Sequence, residues 1–216
     1  LWRANRGGTA VIKDPFALLA LNGLQARVTR GPALVTIRHP CSWILSLRRV
    51  GWPAEPELES LRGRFDLAAR YFPDLLSGRG DGEVDDIETG ALAWTCLYQA
   101  VLGQVREGAQ VVVIPMERLG RAGEETLALI FRAAGLDAPT NLAELARRYT
   151  GKDNSVTPTA GAVHLLRRNS AALSQAWRTQ MSRRDQDRVR EITQPVFDVF
   201  YSDWDRADGD IDELRG

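Results

Sequence analysis

Histidine and cysteine are scarce in this 216-residue chain, at two copies each. Cys41, Cys96, His39 and His164 cannot build a standard structural zinc site without carboxylates, so no metal is expected. A disulfide is open to the cysteines, but the expectation is two reduced thiols packed as small hydrophobes. Net charge is also lacking: 28 basic residues face 28 acidic ones. That balance argues against a generic nucleic-acid or membrane-surface binder, which needs a broad positive excess, but it leaves room for a local anion site. No apolar run approaches the roughly 18 residues of a membrane span. No secretory signal is visible, so a cytoplasmic location is expected. Internal repeats and low-complexity tracts are missing too, and the length suits one domain over residues 1–216.

What is present alternates short apolar runs with helical spacing. "TAVIK" (9–13) reads as a first strand ended by Pro15, and residues 16–28 can form a helix. "ALVTI" (33–37) reads as a second strand. Pro40 suits the first turn of a helix that runs to about Val50, where Gly51 and Pro53 stop it. Helical spacing recurs over 57–76 and 87–106, with a polar loop, "SGRGDGEVDD", between them. "QVVVIP" (110–115) is a third strand, Glu124 to Ala134 a helix ended by Gly135, and 150–161 a loop. Ser182 is a plausible N-cap for a last helix through Phe200, with Pro195 as a kink point. Such alternation implies an α/β fold with a parallel sheet between helices, and ligands bind beyond the carboxyl ends of its strands. Lys13, Arg38 and Glu117 all fall at such ends.

Arg38 precedes the start of a helix, and that pairing suits a phosphate. The guanidinium offers a planar fork of donors, while the helix start adds free N–H groups and a favourable dipole. Ser46, about two turns on, can add a hydroxyl if its face meets the cleft. The alternative is an Arg38 paired to a carboxylate and a Ser46 that only packs.

On these residues, "VTIRHPCSWILSLRRVGW" resembles the 3′-phosphate-binding segment of sulfotransferases that use 3′-phosphoadenosine 5′-phosphosulfate (PAPS): a strand, Arg-x-Pro, and a Ser six residues after the Pro. "VIKDP" resembles the strand that ends in Lys-Asp-Pro in many bacterial members, and "VVVIPMERL" the strand that ends in an acidic residue. "LLRRNSAALSQAWRTQMS" resembles the late segment near the nucleotide, and "PVFDVFYSDW" the C-terminal helix and its exit. The resemblance implies a three-layer fold with a central parallel sheet, of the P-loop nucleoside-triphosphate-hydrolase-like sulfotransferase type. It implies that Arg38 and Ser46 grip the 3′-phosphate, and that Arg168 and Ser170, beside Arg167, reach the same phosphate or the adenosine. The family's glycine-rich 5′-phosphosulfate loop has no counterpart. "NRGGTA" (5–10) is no substitute, because a phosphate-cradling loop needs a strand before it and a helix after it. The reading is therefore a single sulfotransferase-like domain without its first strand, loop and helix, either a partial sequence or a degenerate protein.

The reaction implied is transfer of a sulfuryl group from PAPS to an acceptor hydroxyl or amine on a small molecule or carbohydrate, with no metal. Lys13 is the candidate cation for the developing charge, against a lysine that merely snorkels to water. Asp14 is the only local carboxylate for a general base, and it could equally cap the next helix. His39 lies inside the phosphate segment and reads as positional. Arg167 and Arg168 could also be a solvated charge pair. Trp177 and Arg178 read as packing, Trp94, Leu97 and Tyr98 as core, and Glu117 as a structural partner for a cation near the cleft. The alternative function is a catalytically inactive sulfotransferase-like module that binds nucleotide or another protein. A P-loop kinase is weaker still, for want of a Walker lysine loop.

Overall fold

Strands β1 (Ala33–Ile37) and β2 (Val111–Pro115) pair in parallel, with Ala33 opposite Val111 and Ile37 opposite Pro115. The computed structural model describes residues 11–28, 31–73, 85–156, 167–205 and 212–214. A third strand, β3 (Asp212–Leu214), runs antiparallel on the far side of β2, giving the order β1-β2-β3. The fold is mixed α/β, mostly helical, with one parallel pair of strands.

The described part of the expected "TAVIK" strand, residues 11–13, forms no strand. Residues 11–14 are irregular, with Val11 77% and Ile12 46% exposed, and they lead into a 3-10 turn at Pro15–Leu19. A strand needs a neighbour to take its N–H and C=O groups, and no ladder reaches these residues. Thr9 and Ala10 lie outside the described residues. Lys13 and Asp14 therefore do not stand at the end of a sheet strand.

The expected helix over 16–28 divides at Ala20 into that turn and α1 (Leu21–Arg27). Helix α2 (Pro40–Val50) matches the sequence reading: Pro40 opens it, and Gly51, at φ 67°, closes it in the left-handed region that favours glycine. Where the sequence predicts helix over 57–76, the described residues carry α3 (Glu55–Arg62) and α4 (Phe65–Tyr71), and residues 74–76 lie outside the described residues. Asp85 caps α5 (Asp86–Arg106) by accepting from the Glu88 N–H at 3.0 Å.

Helix α5 is apolar around most of its girth, as a helix packed on several sides must be. Trp94, Tyr98, Val101 and Val105 share one apolar cluster with β1 and β2, while Leu92, Ala93, Cys96 and Ala100 share another with Leu58, Leu61 and Phe72. Both cysteines are free and buried, one in each cluster, as expected of small apolar residues. Trp94 and Tyr98 are core residues as the sequence implies. Among the described residues no helix is long and apolar enough to cross a membrane.

After β2 come α6 (Met116–Arg121), α7 (Gly123–Ala133) and α8 (Leu142–Thr150). Two short helices, α9 (Ser170–Gln175) and α10 (Trp177–Gln180), precede α11 (Arg183–Phe200). Ser182 caps α11 as expected, its Oγ accepting from the Asp185 N–H at 3.1 Å, and the helix runs on through Pro195 to pack on α5.

Candidate functional site

Helix α5 runs against β1 so that the two ends of the strand are held differently. At the carboxyl end, the Trp94 indole N–H donates to the Arg38 carbonyl (2.9 Å) and the Tyr98 hydroxyl to the Thr36 carbonyl (3.1 Å). At the amino end, the Ala33 N–H donates to the Gln110 carbonyl, which also accepts from the Gln25 side chain at 2.6 Å.

His39, next to Arg38, is fully buried. Its ring stacks on Trp177 (4.3 Å, 7°) and meets Trp204 (4.6 Å) and Phe197 (5.3 Å) edge-on. Burial pushes the imidazole down to about 3, and the Arg178 charge pushes the same way. The Trp204 backbone opposes the shift without closing a bond of ordinary geometry to Nε2. Nδ1 accepts from the Cys41 N–H (3.2 Å), so the side chain caps α2. A neutral, capping imidazole inside an aromatic cluster is positional, not a general base. Trp177 is the floor of that cluster, and Arg178 lies over its indole at 5.4 Å.

Glu117 is structural, as the sequence reading has it, but among the described residues no cation closes an ion pair with it. It is buried in the first turn of α6, where Oε1 accepts from the His39 N–H and Oε2 from the Tyr201 hydroxyl, each at 2.9 Å. Those two donors satisfy the carboxyl without a charge. Burial raises its pKa, against those hydrogen bonds and the field of Arg38, so the carboxyl is pushed toward its neutral form.

Helix α6 also holds the other wall of the site. A Cβ on Gly120 would lie 2.7 Å from the Ala171 N and 2.8 Å from its Cα, so α6 and the start of α9 cross backbone to backbone. The turn before α9 is tied down on every side. The Arg168 N–H donates to the Tyr149 carbonyl (3.1 Å), and Asn169 donates to the Lys152 carbonyl (2.8 Å) while capping α9 at Ala172 (2.9 Å).

Arg49 feels the charges of two other arginines, Arg168 and Arg38. Arg38 leaves β1, Arg49 sits in the last turn of α2, and Arg168 comes from the clamped turn; all are partly buried. Burial, then the charges of Arg168 and Arg38, hold Arg49 below the usual arginine range. Among the described residues no carboxylate closes an ion pair with any of the three. Elsewhere arginines find acids at once: Arg48 with Asp86 (2.6 Å), Arg70 with Glu107 (2.7 Å), Arg118 with Glu125 (2.9 Å) and Arg188 with Asp85 (2.6 Å).

Of the residues named from sequence, Arg38 and Arg168 are both partly buried, and the charge of each acts on Arg49. Ser46 is partly buried on α2, one turn before Arg49. Ser170 opens α9 at the Gly120 crossing, and Arg167 is exposed. Lys13 and Asp14 are exposed ahead of the 3-10 turn, whose Leu18 carbonyl accepts from Gln104 (2.7 Å) near the amino end of β1. "NRGGTA" and His164 lie outside the described residues. Arg49 was the residue missed. Its position three after Ser46 on one helix was the available signal.

A groove of about 620 Å³ opens near the amino end of β1, lined by Asn22, Gln25, Arg70, Tyr71 and Glu107 among others. Its charges are already matched: Glu107 accepts from Arg70 (2.7 Å), Tyr71 (2.9 Å) and Asn22 (3.1 Å). Among the described residues no three His, Cys, Asp or Glu side chains cluster as metal ligands. No family model, curated protein or solved structure matches the chain.

Proposed function

We propose that the chain binds the 3′-phosphate of PAPS at the carboxyl end of β1 and serves a sulfotransferase. In this reading the parallel pair belongs to a three-layer, P-loop-like sulfotransferase fold. One observation carries it: the partly buried Arg38 follows a parallel strand and leads into a capped helix, and no described carboxylate closes an ion pair with it. Arg38 and Arg168 supply charge and forked donors, Ser46 a hydroxyl, and Ser170 a polar group at the edge of the same turn. The donor would supply a sulfuryl group for an acceptor hydroxyl or amine on a small molecule or carbohydrate. Lys13 and Asp14 are the chain's candidates for meeting the developing charge and taking the acceptor proton. Their exposure outside any strand favours, as a second reading, a protein that binds the nucleotide without transfer.

Calorimetry with adenosine 3′,5′-bisphosphate tests the binding. The expected result is measurable binding that weakens by about 2–4 kcal/mol in Arg38→Ala, the loss typical of a buried charge partner. No binding by the parent chain, or equal binding by the variant, overturns the reading. Release of adenosine 3′,5′-bisphosphate from PAPS with an acceptor present separates the enzyme from the binding protein.

A further inference from the structure

The groove near the amino end of β1 lies between α1, α4 and the end of α5. Its volume of about 620 Å³ falls inside the range of about 300–1,000 Å³ usual for small-molecule sites. Glu107, just past α5, ties the walls together. Its Oε1 accepts from the Arg70 Nε at 2.7 Å, and its Oε2 from the Tyr71 hydroxyl at 2.9 Å and the Asn22 amide at 3.1 Å. Tyr71 lies this close to α5 because Gly103 has no side chain; a Cβ there would run into the ring. These bonds leave capacity unspent. Among the described residues nothing accepts from the Nη1 or Nη2 of Arg70, and nothing donates to the Asn22 Oδ1. A carboxylate has about four lone-pair sites, so Glu107, with three donors, keeps one. The Arg70 bond, backed by those from Tyr71 and Asn22, holds the Glu107 carboxyl below the usual carboxylate range, so it is charged at neutral pH.

We propose that this groove binds a free α-amino acid with an apolar side chain, its carboxylate on the Nη fork of Arg70 and its ammonium between Glu107 and the Asn22 Oδ1. The site is separate from the nucleotide reading above and does not rest on it. It presents one positive and one negative group side by side, with no net charge. An anion drawn to Arg70 is repelled by Glu107, and a cation meets the reverse. A zwitterion answers both charges at once and leaves the contact between them in place. The planar fork suits the two oxygens of a carboxylate. An ammonium has three donors, and Glu107, Asn22 and the Tyr71 oxygen offer three acceptors. Leu19 and Leu67, both partly buried, line the same groove and give the side chain an apolar wall. Water reaches both charges, so the affinity expected is weak, in the millimolar range.

NMR titration tests it with three probes: L-leucine, its methyl ester, which lacks the carboxylate, and N-acetyl-L-leucine, which lacks the ammonium. The parent chain is expected to bind L-leucine and to hold each derivative about ten- to hundredfold more weakly, the range for hydrogen bonds to a charged group. Arg70→Gln should remove the preference over the ester, and Glu107→Gln the preference over the N-acetyl compound, each leaving the other preference in place. Both side chains lie at the surface, so both variants should keep the parent's denaturation midpoint. Loss of all L-leucine binding in a variant whose midpoint holds also supports the site. Three results overturn it: no L-leucine binding by the parent chain, equal binding of glucose, or variants that discriminate as the parent does. None of them bears on adenosine 3′,5′-bisphosphate, so the two sites stand or fall separately.

Discussion

The two ends of β1 treat positive charge in opposite ways. Near the amino end, Arg70 is exposed and meets Glu107, which Tyr71 and Asn22 also serve. Near the carboxyl end, Arg38, Arg49 and Arg168 are partly buried, and among the described residues no carboxylate closes an ion pair with any of them. Exposed ion pairs add little to stability, because water already solvates both partners. An unmatched cluster works against the fold, so something rigid must hold it. That support is the buried set around His39: the Trp177 stack, the Glu117 carboxyl and the Tyr201 hydroxyl. On the proposed reading, unpaired charge becomes a site only where a rigid frame keeps it from relaxing into pairs.

The frame should break first with acid, and this is the largest effect expected. His39 titrates at about 3 when folded and near 6.5 when unfolded. Between those values the unfolded chain binds the extra proton, so stability is lost as pH falls from 6.5 toward 3. The slope should approach about 1.4 kcal/mol per pH unit. Glu117 has the opposite sign: its raised pKa gives stability that is full below about 4.5 and declines as pH rises. His39→Asn keeps an acceptor for the Cys41 N–H but cannot take up a proton. Urea denaturation of both chains from pH 7 to 4 isolates the imidazole in the difference between the curves. Parallel curves would show that the ring is not held neutral by its burial.

A smaller effect separates the two ends directly. Gly120→Ala drives a methyl into the backbone of Ala171, which cannot yield as a side chain can, at about 1–3 kcal/mol of stability. It also displaces the turn that carries Arg168, so affinity for adenosine 3′,5′-bisphosphate should fall as well. Gly103→Ala strikes the Tyr71 ring near the other end of the strand. It should lower the denaturation midpoint too, yet leave nucleotide affinity alone. Equal affinity losses in both variants would mean that α6 does not brace the site in particular.

Much of this was legible before the fold was known. Pro40 at the start of α2 and Gly51 at its end are local signals, and they sufficed for that helix. The run "VVVI" is apolar on both faces, which suits a strand buried along its whole length. Helix α8 was also readable, through Leu142, Leu145 and Ala146 on one face, but went unclaimed. Strand β3 was not legible: three residues, two of them acidic, become a strand only because β2 offers an edge. "TAVIK" failed for the converse reason, since β propensity without a neighbouring strand closes no ladder. At the site, Arg38 and Arg168 stood out by motif. Arg48 and Arg49 looked alike, because nothing local shows that one will meet Asp86 and the other Gln180.

The smallest effect expected is the sharpest check on the comparison. Glu107→Gln leaves Arg70 without its acid beside a groove large enough for a nucleotide. If unpaired charge alone made an anion site, this variant should gain one. Arg70 is exposed, so that it can reorient into water once Glu107 is neutral. The denaturation midpoint should therefore stay within error of the parent. Calorimetry with adenosine 3′,5′-bisphosphate should still give one site of unchanged affinity. A second site in this variant would show that any freed arginine suffices, and the rigid frame around His39 would lose its claim to make the difference.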